Sequence, residues 1–83
     1  MNYCSLRIAF INVNSVVPKI SFISDFIVEN KVDLLGIGET WLLPGVLDSF
    51  ISVDGFNVVR CDVRGLVPKH GVCLFINKNV DFL

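Results

Sequence analysis

Apolar and polar residues are arranged along the first half of the chain in blocks that predict two strands joined by a helix. Residues 6–11 and 32–37 form apolar runs of the kind that a sheet covered on both faces contains. Between them, over residues 19–30, apolar positions recur at helical spacing, and Ser15 is a candidate N-cap. A strand, a helix and a strand joined by short links predict a βαβ unit with parallel strands.

The second half of the chain predicts a hairpin. Residues 56–61 and 71–77 alternate or concentrate β-branched and aromatic side chains, and they are separated by a loop that contains Gly65 and Pro68. The composition of residues 40–52 predicts a loop with a turn at Pro44 and Gly45. The whole pattern therefore predicts an α/β fold, in which a βαβ unit is followed by an antiparallel β-hairpin.

Polar side chains follow the first two predicted strands where each strand ends. Asn12 and Asn14 close the first apolar run, and Glu39 closes the second. Parallel strands direct their carboxyl ends to one edge of a sheet, which is where ligands bind in open α/β folds. Because neighbouring strands lie about 4.8 Å apart, Asn12 and Glu39 are predicted to share one ion or one water shell.

These residue types suit a divalent metal that acts on a phosphate ester. Mg²⁺ prefers oxygen ligands and often takes only one or two protein carboxylates, so Glu39 is the candidate ligand. Asn12 is a candidate for holding a phosphate oxygen or a metal-bound water. Two structural alternatives remain open from spacing alone. Glu39 could cap nearby backbone N–H groups, and Asn12 and Asn14 could serve only as turn residues.

Composition and charge narrow the possible classes. The chain has 83 residues, of which 53% are hydrophobic, and a formal net charge of −1. So much apolar surface is hard to bury in one small core, which favours part of a larger domain over a compact module. The cations are scattered, which argues against a stand-alone nucleic-acid binder. One loop gathers a few of them and could be solvated or contact phosphate: Arg60, Arg64, Lys69 and His70.

The cysteines and the termini indicate an intracellular protein. The three cysteines, Cys4, Cys61 and Cys73, have spacings that fit no zinc motif, and apolar packing is the expected role of the last two. The N-terminus has no clean signal sequence, and no apolar run is long enough to span a membrane. We expect reduced cysteines and a location in the cytoplasm or nucleus.

Three blocks of sequence, in order and at suitable spacing, resemble a known family. Residues 6–15 contain an N-x-N strand end, residues 32–42 contain a D-L-L-x-I-x-E-T strand followed by Trp41, and residues 70–76 contain a G-V strand. Together they resemble the opening of the endonuclease/exonuclease/phosphatase family. Within that family they are similar to the apurinic-like endonuclease domains of non-LTR (LINE-type) retrotransposons. The likeness covers nearly all of the chain.

The resemblance implies a fold, a cofactor and roles for individual residues. Residues 1–83 would be the N-terminal portion of a four-layer α/β sandwich, a partial domain whose C-terminal half is missing. Asn12 and Glu39 would be catalytic, Glu39 would bind Mg²⁺, and Asn14 would lie beside them near the substrate. The family's later Tyr, Asp-x-Asn and Ser-Asp-His elements have no match here, and His70 and Tyr3 do not correspond to them.

The residues and the resemblance leave three functions open. The first is part of a magnesium-dependent endonuclease domain that nicks DNA, with DNA bound through the complete domain and no activity expected of this chain alone. The second is part of a phosphatase-type member that acts on inositol or lipid phosphates. The third is a non-catalytic α/β remnant or interaction module, favoured by the absent catalytic His and the slightly acidic charge.

Overall fold

The computed structural model describes residues 5–62 and 70–80, which form one mixed four-stranded sheet with an α-helix packed on one face. The elements are β1 (Ile8–Asn12), α1 (Ile20–Asn30), β2 (Leu34–Gly38), β3 (Phe56–Cys61) and β4 (Val72–Asn77). This arrangement confirms the α/β fold class, the βαβ unit and the hairpin. The predicted loop of residues 62–70 lies mostly outside the described residues.

The sheet has the strand order β1-β2-β4-β3. β1 and β2 are parallel, and their register runs from Ile8 opposite Leu34 to Asn12 opposite Gly38. β4 is antiparallel to both β2 and β3, so the last strand inserts beside β2 rather than at the edge. The sequence pattern predicted the pairing of β3 with β4 but not this insertion. The central position of β4 is consistent with its two buried side chains, Cys73 and Phe75.

The helix packs its apolar stripe on the sheet. Ile23 and Ile27 are buried in one core with Leu35, Ile37 and Phe75, because every second residue of β2 and β4 points to the helix-covered face. The periodicity of residues 19–30 therefore predicted the correct face of the helix.

The start of the helix differs from the sequence prediction. Ser15 is not the N-cap, because its φ of +81° places it in a left-handed turn several residues earlier. A short 3₁₀ helix, Val17–Lys19, follows that turn, and α1 begins at Ile20. Pro18 lies in the 3₁₀ segment, where its fixed φ is easily accommodated. At the other end, Lys31 adopts the left-handed conformation that closes many helices.

The face of the sheet opposite the helix is largely open. Its large apolar side chains are substantially exposed: Ile8 65%, Phe10 68%, Val59 59% and Val72 51%. We call this surface the open face. The Phe10 ring lies across Gly36 and Gly38 of β2, and a Cβ on Gly36 would come within 2.8 Å of it. The open face is an apolar surface of the kind that marks an interaction site.

The two described cysteines lie on opposite faces of the sheet. Cys73 pairs with Arg60 on the covered face, whereas Cys61 pairs with Val72 and is exposed. Burial raises the pKa of the Cys73 thiol to about 12. The prediction of apolar packing is therefore right for Cys73 and wrong for Cys61, which faces solvent because it belongs to the open face. Cys4 lies outside the described residues. None of the helices in the described part of the chain is long and apolar enough to cross a membrane.

Candidate functional site

The carboxyl ends of β1 and β2 and the start of β4 meet at one edge of the sheet. Asn12, the last residue of β1, is opposite Gly38, the last residue of β2, and Gly38 is opposite Val72. Asn12 is exposed, and its amide carbon would lie 3.9 Å from a Cβ on Gly38. The first atom that a Cβ on Gly38 would meet is in the Phe10 ring, at 2.9 Å, so the absence of a side chain at Gly38 leaves room for that ring beside Asn12.

Glu39 is held in a bulge between two neighbouring segments. Gly38 pairs with Val72, but the N–H of Thr40 donates to Gly71 at 3.1 Å, so Glu39 and Thr40 together stand opposite one residue. On the other side, the carbonyl of Glu39 accepts a hydrogen bond from the N–H of Ser15 at 2.9 Å. Bulges of this kind bend a strand and redirect a side chain, and they are common beside active sites.

Backbone strain is concentrated at this edge. Among the described residues, five non-glycine residues have positive φ, and four of them lie here: Asn14 (+48°), Ser15 (+81°), Glu39 (+51°) and Trp41 (+56°). A side chain in this conformation costs about 1–3 kcal/mol, and such residues cluster at functional sites because the surrounding structure must hold them. Asn14 tolerates the conformation well, which agrees with the turn role that its sequence also allowed.

Gly71 and Thr40 fit together behind Glu39. Thr40 is almost completely buried, at 1% exposure, and a Cβ on Gly71 would lie only 2.8 Å from its Oγ1. Gly71 also has a φ of +97°, a conformation that glycine adopts without strain. Within the described residues, the Thr40 hydroxyl and the Trp41 indole Nε1 are buried without a hydrogen-bond partner. Backbone hydrogen bonds and close packing, rather than hydrogen bonds of the Thr40 and Trp41 side chains, thus hold this segment.

The Glu39 carboxylate is half-buried and accepts no hydrogen bond from residues 5–62 or 70–80. The interpretation of Glu39 as a local backbone cap therefore gains no support from the described contacts. The backbone around the residue is tightly held, whereas residues 5–62 and 70–80 give its carboxylate no hydrogen-bond partner.

The donor set suits Mg²⁺ better than a transition metal. No group of three or more His, Cys, Asp or Glu side chains that could enclose an ion occurs in the described ranges. Mg²⁺ does not need such a cage, because it retains water ligands and is often held by one or two carboxylates together with substrate oxygens. Glu39 would hold the ion, and the Asn12 amide lies at the same edge as a second oxygen donor.

Arg60 has a structural role in this conformation. Its guanidinium donates to the Asp62 carboxylate at 2.6 and 3.1 Å, to Asp48 at 2.9 Å, and to the backbone carbonyls of Leu43 and Val46. The hydrogen bond to Asp62 raises the pKa of Arg60, burial lowers it by less, and the hydrogen bond to Asp48 raises it further. Arg60 therefore fixes the loop after Trp41. Arg64 and Lys69 lie outside the described residues, and His70 is exposed at the site edge.

No protein-family model matches this chain, and no curated protein matches it. Among solved structures, an AP endonuclease from Archaeoglobus fulgidus is similar, with a TM-score of 0.69 and 27% sequence identity. The similarity covers 87% of this chain and 27% of that chain. The fold is thus of the endonuclease type, and the chain spans about a quarter of the length of the enzyme that it resembles.

Sequence reasoning selected Asn12, Asn14 and Glu39, and the structure brings all three to the same edge. Sequence reasoning did not select Thr40 or Gly71. The signal for Gly71 was present in the His70-Gly71-Val72 step, because a glycine at the start of a strand often marks a special φ. The left-handed conformation of Glu39 had no such signal, because glutamate has no preference for it.

Proposed function

We propose that this chain is the first part of a magnesium-dependent endonuclease domain that cleaves DNA phosphodiester bonds. One observation carries the proposal: the parallel register of β1 and β2 brings Asn12 and the bulged Glu39 to one edge. The similarity to the AP endonuclease, over 87% of this chain, supports the nuclease part of the proposal.

Each residue has a distinct task in this proposal. Glu39 holds the metal, because its backbone is fixed on both sides and its carboxylate faces no described donor. Asn12 donates its side-chain N–H to a non-bridging phosphate oxygen and so orients the scissile bond. Asn14 shapes the turn beside them. The bound metal would supply positive charge that polarises the phosphoryl oxygen and stabilises charge on the leaving oxygen.

The open face supports the proposal that further chain completes the domain. Ile8, Phe10, Val59 and Val72 expose more than half of their surface each. The similar AP endonuclease has additional length beyond the matched quarter. We therefore assign the open face to the remainder of an endonuclease domain, which would also bring the missing acid–base residues. This chain alone is expected to be inactive, because activation of water needs a positioned group with a suitable pKa.

A magnesium titration of the 83-residue chain, followed by backbone amide shifts, tests the metal part of the proposal. We expect saturable shifts centred on residues 12–15 and 38–41 and their loss in E39Q, which keeps the shape of the side chain. E29Q is the matched control, because Glu29 is an exposed glutamate on α1, and it should titrate as the parent does. Equal binding by E39Q and the parent chain would overturn the metal role of Glu39.

The DNA part of the proposal needs a longer chain. If the reading frame continues past residue 83, the extended protein should nick supercoiled plasmid DNA in Mg²⁺ but not in EDTA, and E39Q should abolish the nicking. Release of phosphate from inositol phosphates, without nicking, would favour the phosphatase-type alternative. If the extended protein folds but shows neither activity, that result would favour a non-catalytic module.

A further inference from the structure

Lys19 occupies an unexpected position in the chain. It is the last residue of the 3₁₀ segment and immediately precedes Ile20, the first residue of α1. A positive charge there opposes the helix dipole, which favours acidic or small polar residues at this end by about 0.3–1 kcal/mol. No acidic residue in the first turn of α1 compensates for it, and no side chain caps the helix. Stabilisation of α1 therefore does not account for a lysine at this position.

The contacts of the ammonium group provide an explanation. Lys19 Nζ turns back and donates to the carbonyl of Val13 and to the carbonyl of Asn14, the latter at 2.9 Å. In the described part of the chain, no turn or loop amide donates to either carbonyl. Lys19 thus binds the two residues that follow Asn12, and a hydrogen bond from a charged donor is stronger than one between neutral groups.

The segment that Lys19 holds is directly connected to Glu39. Asn14 and Ser15 form the left-handed turn after β1. The N–H of Ser15 donates to the carbonyl of Glu39 at 2.9 Å, and the N–H of Val16 donates to Thr40 at 3.0 Å. One ammonium group, a strained turn and the bulged glutamate therefore form a continuous set of hydrogen bonds.

We propose that Lys19 is a positioning residue of this site, which holds the turn of Asn14 and Ser15 so that Glu39 keeps its place at the sheet edge that also carries Asn12. The role in metal binding rests on the proposed function, whereas the role in holding the turn does not. Lys19 acts through the backbone and is not assigned a contact with metal or substrate.

Amide hydrogen exchange on the 83-residue chain tests the role in the turn. In K19M, the amides of Ser15 and Val16 should exchange about tenfold faster, because the charged donor is lost. The amides of Ile37 and Phe75, in the sheet core, should change little. K19R should restore slow exchange, since a guanidinium can donate to two carbonyls. K78M is the matched control, because Lys78 is an exposed lysine in the turn after β4, and it should leave Ser15 and Val16 unchanged.

Magnesium affinity, measured on the same variants, tests the role in the site. K19M should bind Mg²⁺ more weakly than the parent, with K19R restored and K78M unchanged. Unaltered exchange at Ser15 in K19M, or the same fast exchange in K19R, would overturn the proposal. If K19M loses protection throughout the sheet, K19Q and K19R are compared instead, and equal exchange of the Ser15 amide in these two would overturn it.

The two proposals fail in different ways. Equal Mg²⁺ binding by E39Q and the parent would remove the metal from the site, yet faster exchange at Ser15 in K19M would still support the role of Lys19 in the turn. Conversely, K19M is compared with the parent for Mg²⁺ binding through Glu39 and for amide exchange at Ser15. If neither changes, the metal site is retained and Lys19 has no role in it.

Discussion

The two ends of β2 each carry a carboxylate, and the hydrogen-bond contacts of these two carboxylates differ. Asp33, just before β2, accepts the N–H of Arg7 at 3.0 Å and the side-chain amide of Asn77 at 3.3 Å. Its backbone pairs with the same two residues, at 2.8 Å in each case. Glu39, just after β2, has a strained backbone and a carboxylate that the described residues leave without a donor.

The difference separates a carboxylate that is hydrogen-bonded within the fold from one that the described residues leave unbonded, as the proposed metal role of Glu39 requires. At the Asp33 end, polar groups satisfy one another, and among the described non-glycine residues only the helix-closing Lys31 has positive φ nearby. At the Glu39 end, the chain tolerates strain that its surroundings must offset. Substitutions of the two carboxylates themselves should therefore affect stability and ligand binding in opposite proportions.

Gly71→Ala is expected to have the largest effect on stability. The new Cβ would lie 2.8 Å from Thr40 Oγ1 and 3.3 Å from the Cys61 carbonyl, at a φ of +97°. We expect a loss of about 3 kcal/mol in the free energy of unfolding, measured by urea denaturation. G55A, at a φ of +81° with open space around it, should lose about 1 kcal/mol, and G45A should change by less than about 0.5 kcal/mol.

A double variant identifies the source of that loss. T40A removes the hydroxyl that the Cβ would meet, so G71A should cost less in a T40A background than in the parent. An equal cost in both backgrounds would show that backbone conformation alone, and not the packing of Thr40 against Gly71, supports the site edge.

Asp33→Ala should have the next largest effect and tests the structural end of β2. Loss of the acceptor leaves the Arg7 N–H and the Asn77 amide without their partner, and we expect about 2 kcal/mol of destabilisation in the same urea measurement. D25A is the control, because Asp25 is an exposed aspartate of α1. If D33A is as mild as D25A, the contrast between the two ends of β2 does not hold.

The contrast also explains which parts of the molecule could be predicted from sequence. Periodicity predicts the strands and the helix, and the geometry of parallel strands predicts the edge that Asn12 and Glu39 share. Both are local rules. The insertion of β4 beside β2 is a long-range choice with no local signal. The bulge at Glu39 depends on how Ser15 and Gly71 approach it from two other segments. No short sequence pattern encodes the approach of these three segments.

Ser15→Gly has a smaller effect and should act in the stabilising direction. Removing the side chain at a φ of +81° relieves about 1–2 kcal/mol of strain, while the greater freedom of unfolded glycine removes about 0.5–1 kcal/mol. The net gain should be about 0.5 kcal/mol in urea denaturation. Magnesium affinity should fall at the same time, because the turn that holds Glu39 becomes more flexible. A destabilised S15G would show that Ser15 stores less strain than its φ indicates.

Glu39→Gln should have the smallest effect on stability and a large effect on function. Since the carboxylate accepts no hydrogen bond from the described residues, the free energy of unfolding should change by less than about 0.5 kcal/mol. The same variant should lose Mg²⁺ binding, because an amide is a poor substitute for a charged oxygen ligand. A loss of more than about 1 kcal/mol would place Glu39 with Asp33 among the carboxylates that stabilise the fold. The two measurements on one variant therefore decide whether the end of β2 is built for binding or for stability.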